Sequence, residues 1–419
     1  MAGTNDILEV AKKTINASIK CNTVRGFIGW HSCDNICMDM HNVLDMCEEA
    51  FKLERYQESL EADTYVLVSG MKLASCADSS SGMLTDVIMR AFEIIDLCTQ
   101  TIAKLDATRR NHALSLIIKE AKKKAFDGWE SWRYELLEKA VCLCDEKSAL
   151  KLERLLDIFL NDIENEYMPE YKRQEDTMLR YKLHRHLKGA DAVKDELYAN
   201  LHIREMRVIA VKDATDAKNY SEAETLCLEQ IKKEDGRFYR NVPEDWNNIL
   251  FDIYVESGIT DKQIEQAKKI LFLGNEGFWD VLKRLYQSLG TWESQKPILL
   301  KELKQSKYSV CYRSVLLKEN EKELLLEAVT ENPYNLFYYG QFLVMDYPNE
   351  IYELCANYIR EKCAQATDRR LYRKVCKDLQ QLIKWKGNAA AKMLMDEFKA
   401  TYPRRSALLD ELQKVEKKL

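Results

Sequence analysis

Four residues near the N-terminus carry atoms that bind transition metals: His31, Cys33, Cys37 and His41. Cys33, Cys37 and His41 are spaced four apart, so a helix stacks them on one face with His31 just ahead. Imidazole and thiolate are the ligands of structural zinc. Such sites, however, draw their ligands from two separate segments, and four ligands on one helix face close a tetrahedron poorly. Cys33 and Cys37 also continue an apolar row through Met40 and Leu44. The expectation is therefore a core face and no metal.

The remaining candidates for chemistry thin out in the same way. Cys142-Leu-Cys144 is not followed by any Cys-x-His, so it lacks the second half of a zinc ligand set. His184-Arg-His186 places two imidazoles two apart on a helix, where they face different directions and suit exposure better than joint ligation. Asp162 and Glu166 have helical i, i+4 spacing, but 68 acidic residues supply such pairs by chance. A phosphate-cradling loop needs clustered glycines. The nearest pairs are Gly26/Gly29 and Gly274/Gly277, without GxGxxG or GK[ST]. There is no GxSxG elbow and no HExxH helix. No catalytic residue and no cofactor are expected.

Charge is the other feature able to bind something. The chain carries −5 overall, which gives no global nucleic-acid signature. Residues 368–419 nevertheless hold 14 Lys+Arg against 7 Asp+Glu, a local +7, leaving −12 elsewhere. Arg369, Arg370, Arg373, Lys374, Lys377, Arg404 and Arg405 form a candidate basic interaction patch for an acidic partner or phosphate. The plainer reading is a solvated helix face. Phe337, Tyr338 and Tyr339 are expected in the core, since a base-stacking surface combines exposed aromatics with a basic groove.

The elements that carry these residues are helical. With 419 residues, 14 Gly and 6 Pro, the chain is poor in turns and rich in Leu, Ala, Glu and Lys. Apolar residues recur at 3.6-residue spacing almost throughout, as in Val375, Cys376, Leu379, Leu382 and Ile383, or Leu408, Leu412, Val415 and Leu419. The pattern predicts about twenty short amphipathic helices and no βαβ alternation. Tyr308–Val315 is β-branched, but a lone strand lacks a partner, and helix is expected there. Asp213–Ile231 alternates small and large residues like half of a tetratricopeptide (TPR) unit, although no strict 34-residue period runs along the chain. The fold class expected is all-α: a TPR-like α-solenoid, a right-handed superhelix. Lysine-rich 106–127 suggests a division into an N-terminal helical domain, 1–125, and a helical-repeat domain, 126–419.

Thirteen cysteines, an odd and unpatterned set, fit a reducing compartment. The first ten residues do not make a signal peptide, and no run of eighteen apolar residues exists. A cytoplasmic location without a membrane partner is expected.

Several segments resemble the long helical region that follows the zinc finger in bacterial SWIM zinc finger family proteins. They are Arg25-Gly-Phe-Ile-Gly-Trp30, Ala77-Asp-Ser-Ser-Ser-Gly82, Phe126-Asp-Gly-Trp129, the Asn332-Pro333 and Tyr347-Pro348 breaks, and Tyr402-Pro-Arg-Arg-Ser-Ala-Leu-Leu-Asp-Glu-Leu412. The resemblance runs from about residue 5 to the end and implies a TPR-like α-solenoid. The family's CxC…CxH finger motif is missing, so its zinc, and the DNA or protein binding suggested for the finger, do not carry over. The functional expectation is a non-enzymatic protein–protein interaction scaffold whose partner is another protein. The alternative is a nucleic-acid-associated accessory protein using its basic C-terminal face. Oligomeric state is left open.

Overall fold

Local signals in the sequence start and stop the helices. Asp6 accepts from the Leu8 amide at 3.0 Å and opens α1 (Ile7–Asn22). Asp106 does the same for α5 (Ala107–Ala121), Asp245 for α12 (Trp246–Ser257) and Asp368 for α20 (Arg369–Lys384). Gly258, at φ +71°, closes α12 in the left-handed conformation that glycine adopts without cost. Pro348 occupies the first turn of α19 (Pro348–Gln365), where its missing N–H has no partner to lose.

The structure is a computed structural model and describes residues 6–160, 169–234, 245–306, 309–333 and 335–417. Among them are twenty-two α-helices and no β-strand, only the isolated bridges Val24–Phe27 and Ile28–Ala77. The β-branched stretch near residue 310 is helix α16 (Ser309–Lys318); Tyr308 lies outside the described residues. No described helix is long and apolar enough to cross a membrane.

By contact the chain divides into two compact units, Met1–Asp213 and Ala214–Leu419, at a point inside α10 (Arg204–Asp216). The lysine-rich stretch at 106–127 holds α5, whose Ala113, Leu114, Ile117 and Ala121 enter the same core as Leu60, Leu67 and Leu137. Lys119 takes an outer position of that helix, and Lys122, Lys123 and Lys124 follow its end. Residues on both sides of position 125 therefore share one core.

The first unit is built around α3 (Tyr56–Ala74). α1, α2 (Trp30–Lys52), α4 (Met83–Ile102) and α5 all pack on it. Twelve of its residues are buried, on every face, as befits a helix enclosed by others. Small residues admit the neighbours: a Cβ on Gly70 would come 3.2 Å from Ile88 on α4. In the second unit each helix from α11 (Tyr220–Lys233) onward packs on its neighbour in sequence. This ladder ends in α20, α21 (Asn388–Thr401) and α22 (Ser406–Glu416), which touch one another. Gly340 of α18 (Leu336–Leu343) is a tight point there, because a Cβ would meet the Trp385 ring at 2.9 Å.

All thirteen cysteines are free, and ten are buried: Cys33, Cys37, Cys47, Cys98 and Cys144 in the first unit, Cys227, Cys311, Cys355, Cys363 and Cys376 in the second. Burial pushes the thiols of Cys98, Cys144, Cys355 and Cys376 up to about 12.

One buried group is not reconciled with its surroundings. Asp63 on α3 is fully enclosed, and neither carboxyl oxygen has a hydrogen-bond partner. The charged groups felt from the packed helices are Arg90 on α4 and Glu48 on α2. Burial outweighs Arg90 and drives the carboxyl pKa well above its usual range. A raised folded-state pKa means the folded protein holds its proton more tightly. Stability is thus complete below the unfolded pKa of about 3.9 and falls as pH rises toward the folded one. Asp63→Asn is expected to raise Tm by several degrees at pH 8, at about 2–4 °C per kcal/mol for a unit of this size, with the gain shrinking toward pH 4. Scanning calorimetry across that range checks this. A pH-independent difference would show that the carboxyl is not shifted.

Candidate functional site: a cationic helix face

The structure keeps Cys33 and Cys37 side by side and sets His31 and His41 apart from them. Cys33 and Cys37 are 1% and 0% exposed on the inner face of α2, beside Ile36, Met40 and Leu44, and burial raises both thiols. His31 is exposed and stacks on Trp30, with ring centroids 3.3 Å apart. His41 Nδ1 lies 3.4 Å from Arg90 Nη1. A guanidinium only donates, so Nδ1 accepts and the ring is neutral. Burial first, and Arg90 second, lower the pKa of that imidazole. Among the described residues no group of three His, Cys, Asp or Glu is placed to hold a metal ion.

His184 and His186 do face different directions, but exposure is the wrong description of His184. Its side chain is 25% exposed and clamped between two carboxylates, Nδ1 2.9 Å from Glu196 and Nε2 3.2 Å from Glu153. It thereby ties α7 (Glu146–Leu160), α8 (Pro169–Lys188) and α9 (Lys194–Ala199) together. His186 Nε2 lies 3.2 Å from the carbonyl of Cys144, which is buried, while Cys142 is half-buried. Asp162 and Glu166 lie outside the described residues. Of the aromatic trio, Tyr339 is buried under the Arg313 guanidinium and Phe337 stacks on Trp385, whereas Tyr338 is 55% exposed.

The basic end divides into spent and unspent cations. α20 forms because Tyr372, Val375, Cys376, Leu379 and Leu382 line one face, all buried against the last helices. On its flank Arg369 bonds Asp410 of α22 at 2.6 Å. Glu411 takes Arg373 at 3.4 Å and Lys414 at 2.8 Å, with Arg369 at 3.9 Å. The Lys414 hydrogen bond, with Arg373 beside it, holds this carboxyl below its usual range. Arg405 donates to the carbonyls of Cys363 and Ala366 at 3.0 and 3.1 Å and lies 4.0 Å over the Tyr402 ring. It caps the C-terminal end of α19 and serves the fold.

The unspent cations of α20 are Arg370, Lys374, Lys377 and Lys384, the last outside the candidate patch drawn from the sequence. All four are exposed, and none makes a hydrogen bond or ion pair with a described residue. Their spacing, i, i+4, i+7, i+14, places them in one stripe about 21 Å long at 1.5 Å per residue. Beyond that helix Lys386, Lys392, Arg404 and Lys417 are also exposed, without a hydrogen bond or ion pair to a described residue. The signal that sorts the arginines was in the sequence, in Asp410-Glu411, but only the packing of α20 on α22 shows which ones those acids neutralise.

No protein-family model, no curated protein and no solved structure matches this chain.

Arg405→Ala is expected to destabilise the second unit by about 2 kcal/mol, the worth of charge-assisted bonds to two carbonyls. Arg404→Ala should stay within about 0.5 kcal/mol of the parent. Urea unfolding of both variants is the check, and equal midpoints would remove the capping role of Arg405.

Proposed function

We propose that this chain is a non-enzymatic binding scaffold, a TPR-like α-solenoid that docks an acidic segment of another protein on α20. The single observation behind the proposal is the exposed stripe Arg370, Lys374, Lys377 and Lys384, left unpaired while Arg369, Arg373 and Arg405 are engaged by the chain's own groups. Charged side chains that bond nothing within the fold are available to a partner, and complementary charge speeds and orients docking. The ladder of helices in the second unit, each packed on its sequence neighbour, supports a repeat-like scaffold, since solenoids offer extended surfaces. The likeness of Tyr402–Leu412 to the helical region of SWIM zinc finger proteins belongs to the same proposal. Thirteen free thiols suit a reducing, cytoplasmic setting.

A protein segment fits this face better than a phosphate backbone. Asp378, bonded to Lys362, and the Asp410–Glu411 pair of α22 lie along the stripe. They interrupt the continuous positive field on which phosphodiester binding depends. Spaced glutamate or aspartate side chains can thread between such carboxylates and meet each cation singly.

Fluorescence anisotropy of the full chain with a labelled glutamate-rich peptide, and with a DNA duplex of matched charge, tests the reading. The peptide should bind at low salt and weaken as salt is added. The triple variant Arg370→Glu/Lys374→Glu/Lys377→Glu should lose at least about tenfold in affinity with little change in Tm, as expected of exposed positions. Tighter binding of the duplex would replace this reading with a nucleic-acid one, and binding of neither probe would overturn it.

A further inference from the structure

In the second unit α15 (Trp292–Gln305) and α17 (Lys322–Glu331) both pack on α16, and a cleft of 540 Å³ opens among the three. The cleft is spanned twice by ion pairs. Lys296 of α15 bonds Glu321, just ahead of α17, at 2.6 Å. Lys304, further along α15, bonds Glu327 and Glu331 of α17 at 3.1 and 2.9 Å. The two lysines are eight residues apart on one helix, which is about 12 Å at 1.5 Å per residue. A groove that takes a helix or an extended chain runs open along its axis, whereas this one is crossed at two points and bounded in length.

Between the crossings the walls are apolar: Pro297 and Leu300 from α15 and Leu324 from α17. Tyr312 of α16 also lines the cleft, is 4% exposed, and makes no hydrogen bond to a described residue through its hydroxyl. Burial raises its pKa, so the hydroxyl keeps its proton and can donate as well as accept. A buried polar atom ordinarily has a partner, and the cleft is where one has room. Water would satisfy the hydroxyl but leave the three apolar side chains wet. A ligand that is apolar except for one polar group satisfies both, the usual composition of a small-molecule site of this volume.

The charge around the cleft is balanced, since three lysines and three glutamates line it. Lys296, Lys304, Glu321 and Glu327 are consumed by the crossings. Glu293 and Lys301 remain, exposed and without a hydrogen bond or ion pair to a described residue, one of each sign. A phosphate or a nucleotide would therefore meet no surplus of positive charge to complement its own.

We propose that this cleft is a binding site for a small, uncharged and mostly apolar molecule, up to about 12 Å long, whose one carbonyl, hydroxyl or amine meets the Tyr312 hydroxyl. The ion pairs of Lys296 and Lys304 hold the two walls in place, so the site is formed before the ligand arrives. None of its lining residues belongs to α20 or α22, and it stands independently of the acidic-segment reading.

The probe is N-phenyl-1-naphthylamine, an uncharged dye with one N–H that brightens in apolar surroundings, titrated into the full chain. Binding should saturate at one dye per chain. The same skeleton bearing a sulfonate, 1-anilinonaphthalene-8-sulfonate, should bind at least about tenfold more weakly. Tyr312→Phe should cost about fivefold in affinity, the loss of one hydrogen bond, with little change in Tm. Leu324→Trp, which fills the cleft, should abolish saturable binding, whereas Val255→Trp, at a 49% exposed position of α12, should leave it unchanged. Should Leu324→Trp fail to fold, Tyr312→Phe carries the test. Each of four outcomes overturns the proposal: no saturable binding, equal affinity for the sulfonated dye, parental affinity in Tyr312→Phe, or a peptide or phosphorylated compound that co-purifies with the parent chain and not with folded Leu324→Trp.

Discussion

A helix of ten to twenty residues with one apolar face is marginal alone in water; it persists by pressing that face on another helix. In the first unit the constraint is met by enclosure: α3 is covered by four helices, so its composition loses polarity on every side and its small residues set how near α4 comes. In the second unit it is met serially, each helix covering the one before. The two solutions demand different sequences. An enclosed helix reads as nearly continuous apolar and small residues, whereas α20 carries a sharp division between Tyr372, Val375, Leu379 and Leu382 inside and Arg370, Lys374 and Lys377 outside.

The division explains why the polar chemistry of the molecule collects at helix flanks and ends. Arg369, Arg373 and Glu411 pair where α20 meets α22, at the border between buried and wet surface. Exposed pairs of this kind contribute modestly to stability, but they consume charge, and what they leave over is the stripe. Trp385, just past α20, fills the space that Gly340 leaves on α18 and offers its carbonyl to the Tyr352 hydroxyl. A side chain at position 340 would displace that ring and, with it, the end of the stripe-bearing helix.

How much of this was legible differs from element to element. The helical periods of α2, α3, α20 and α22 were plain, because a one-faced or enclosed helix writes its burial directly into spacing. The inward direction of Cys33 and Cys37 was readable from the apolar row they continue. The engagement of Arg405 by two carbonyls some forty residues away was not, since nothing local distinguishes it from Arg404. Asp63 was equally silent: an aspartate amid Leu60, Ala62 and Val66 looks like one polar position on an amphipathic helix until four neighbours close over it. Val24-Arg-Gly-Phe27 did contain its signal, an Arg-Gly pair between two apolar residues, yet in an all-helical context it reads as a mere break. The Val24–Phe27 bonds close that turn locally, but the bridge from Ile28 to Ala77 that fixes its base lies in no short window.

The ten buried thiols carry a further consequence. Enclosure makes them inert to alkylation while the surrounding helices stay packed. Each opening of the structure would present them in turn. Five lie in each unit, so the order in which they react with a thiol reagent would record which unit loosens first, and how locally, without any added label. The protein carries built-in clocks for its own breathing, spread through both cores by the same apolar faces that hold it together.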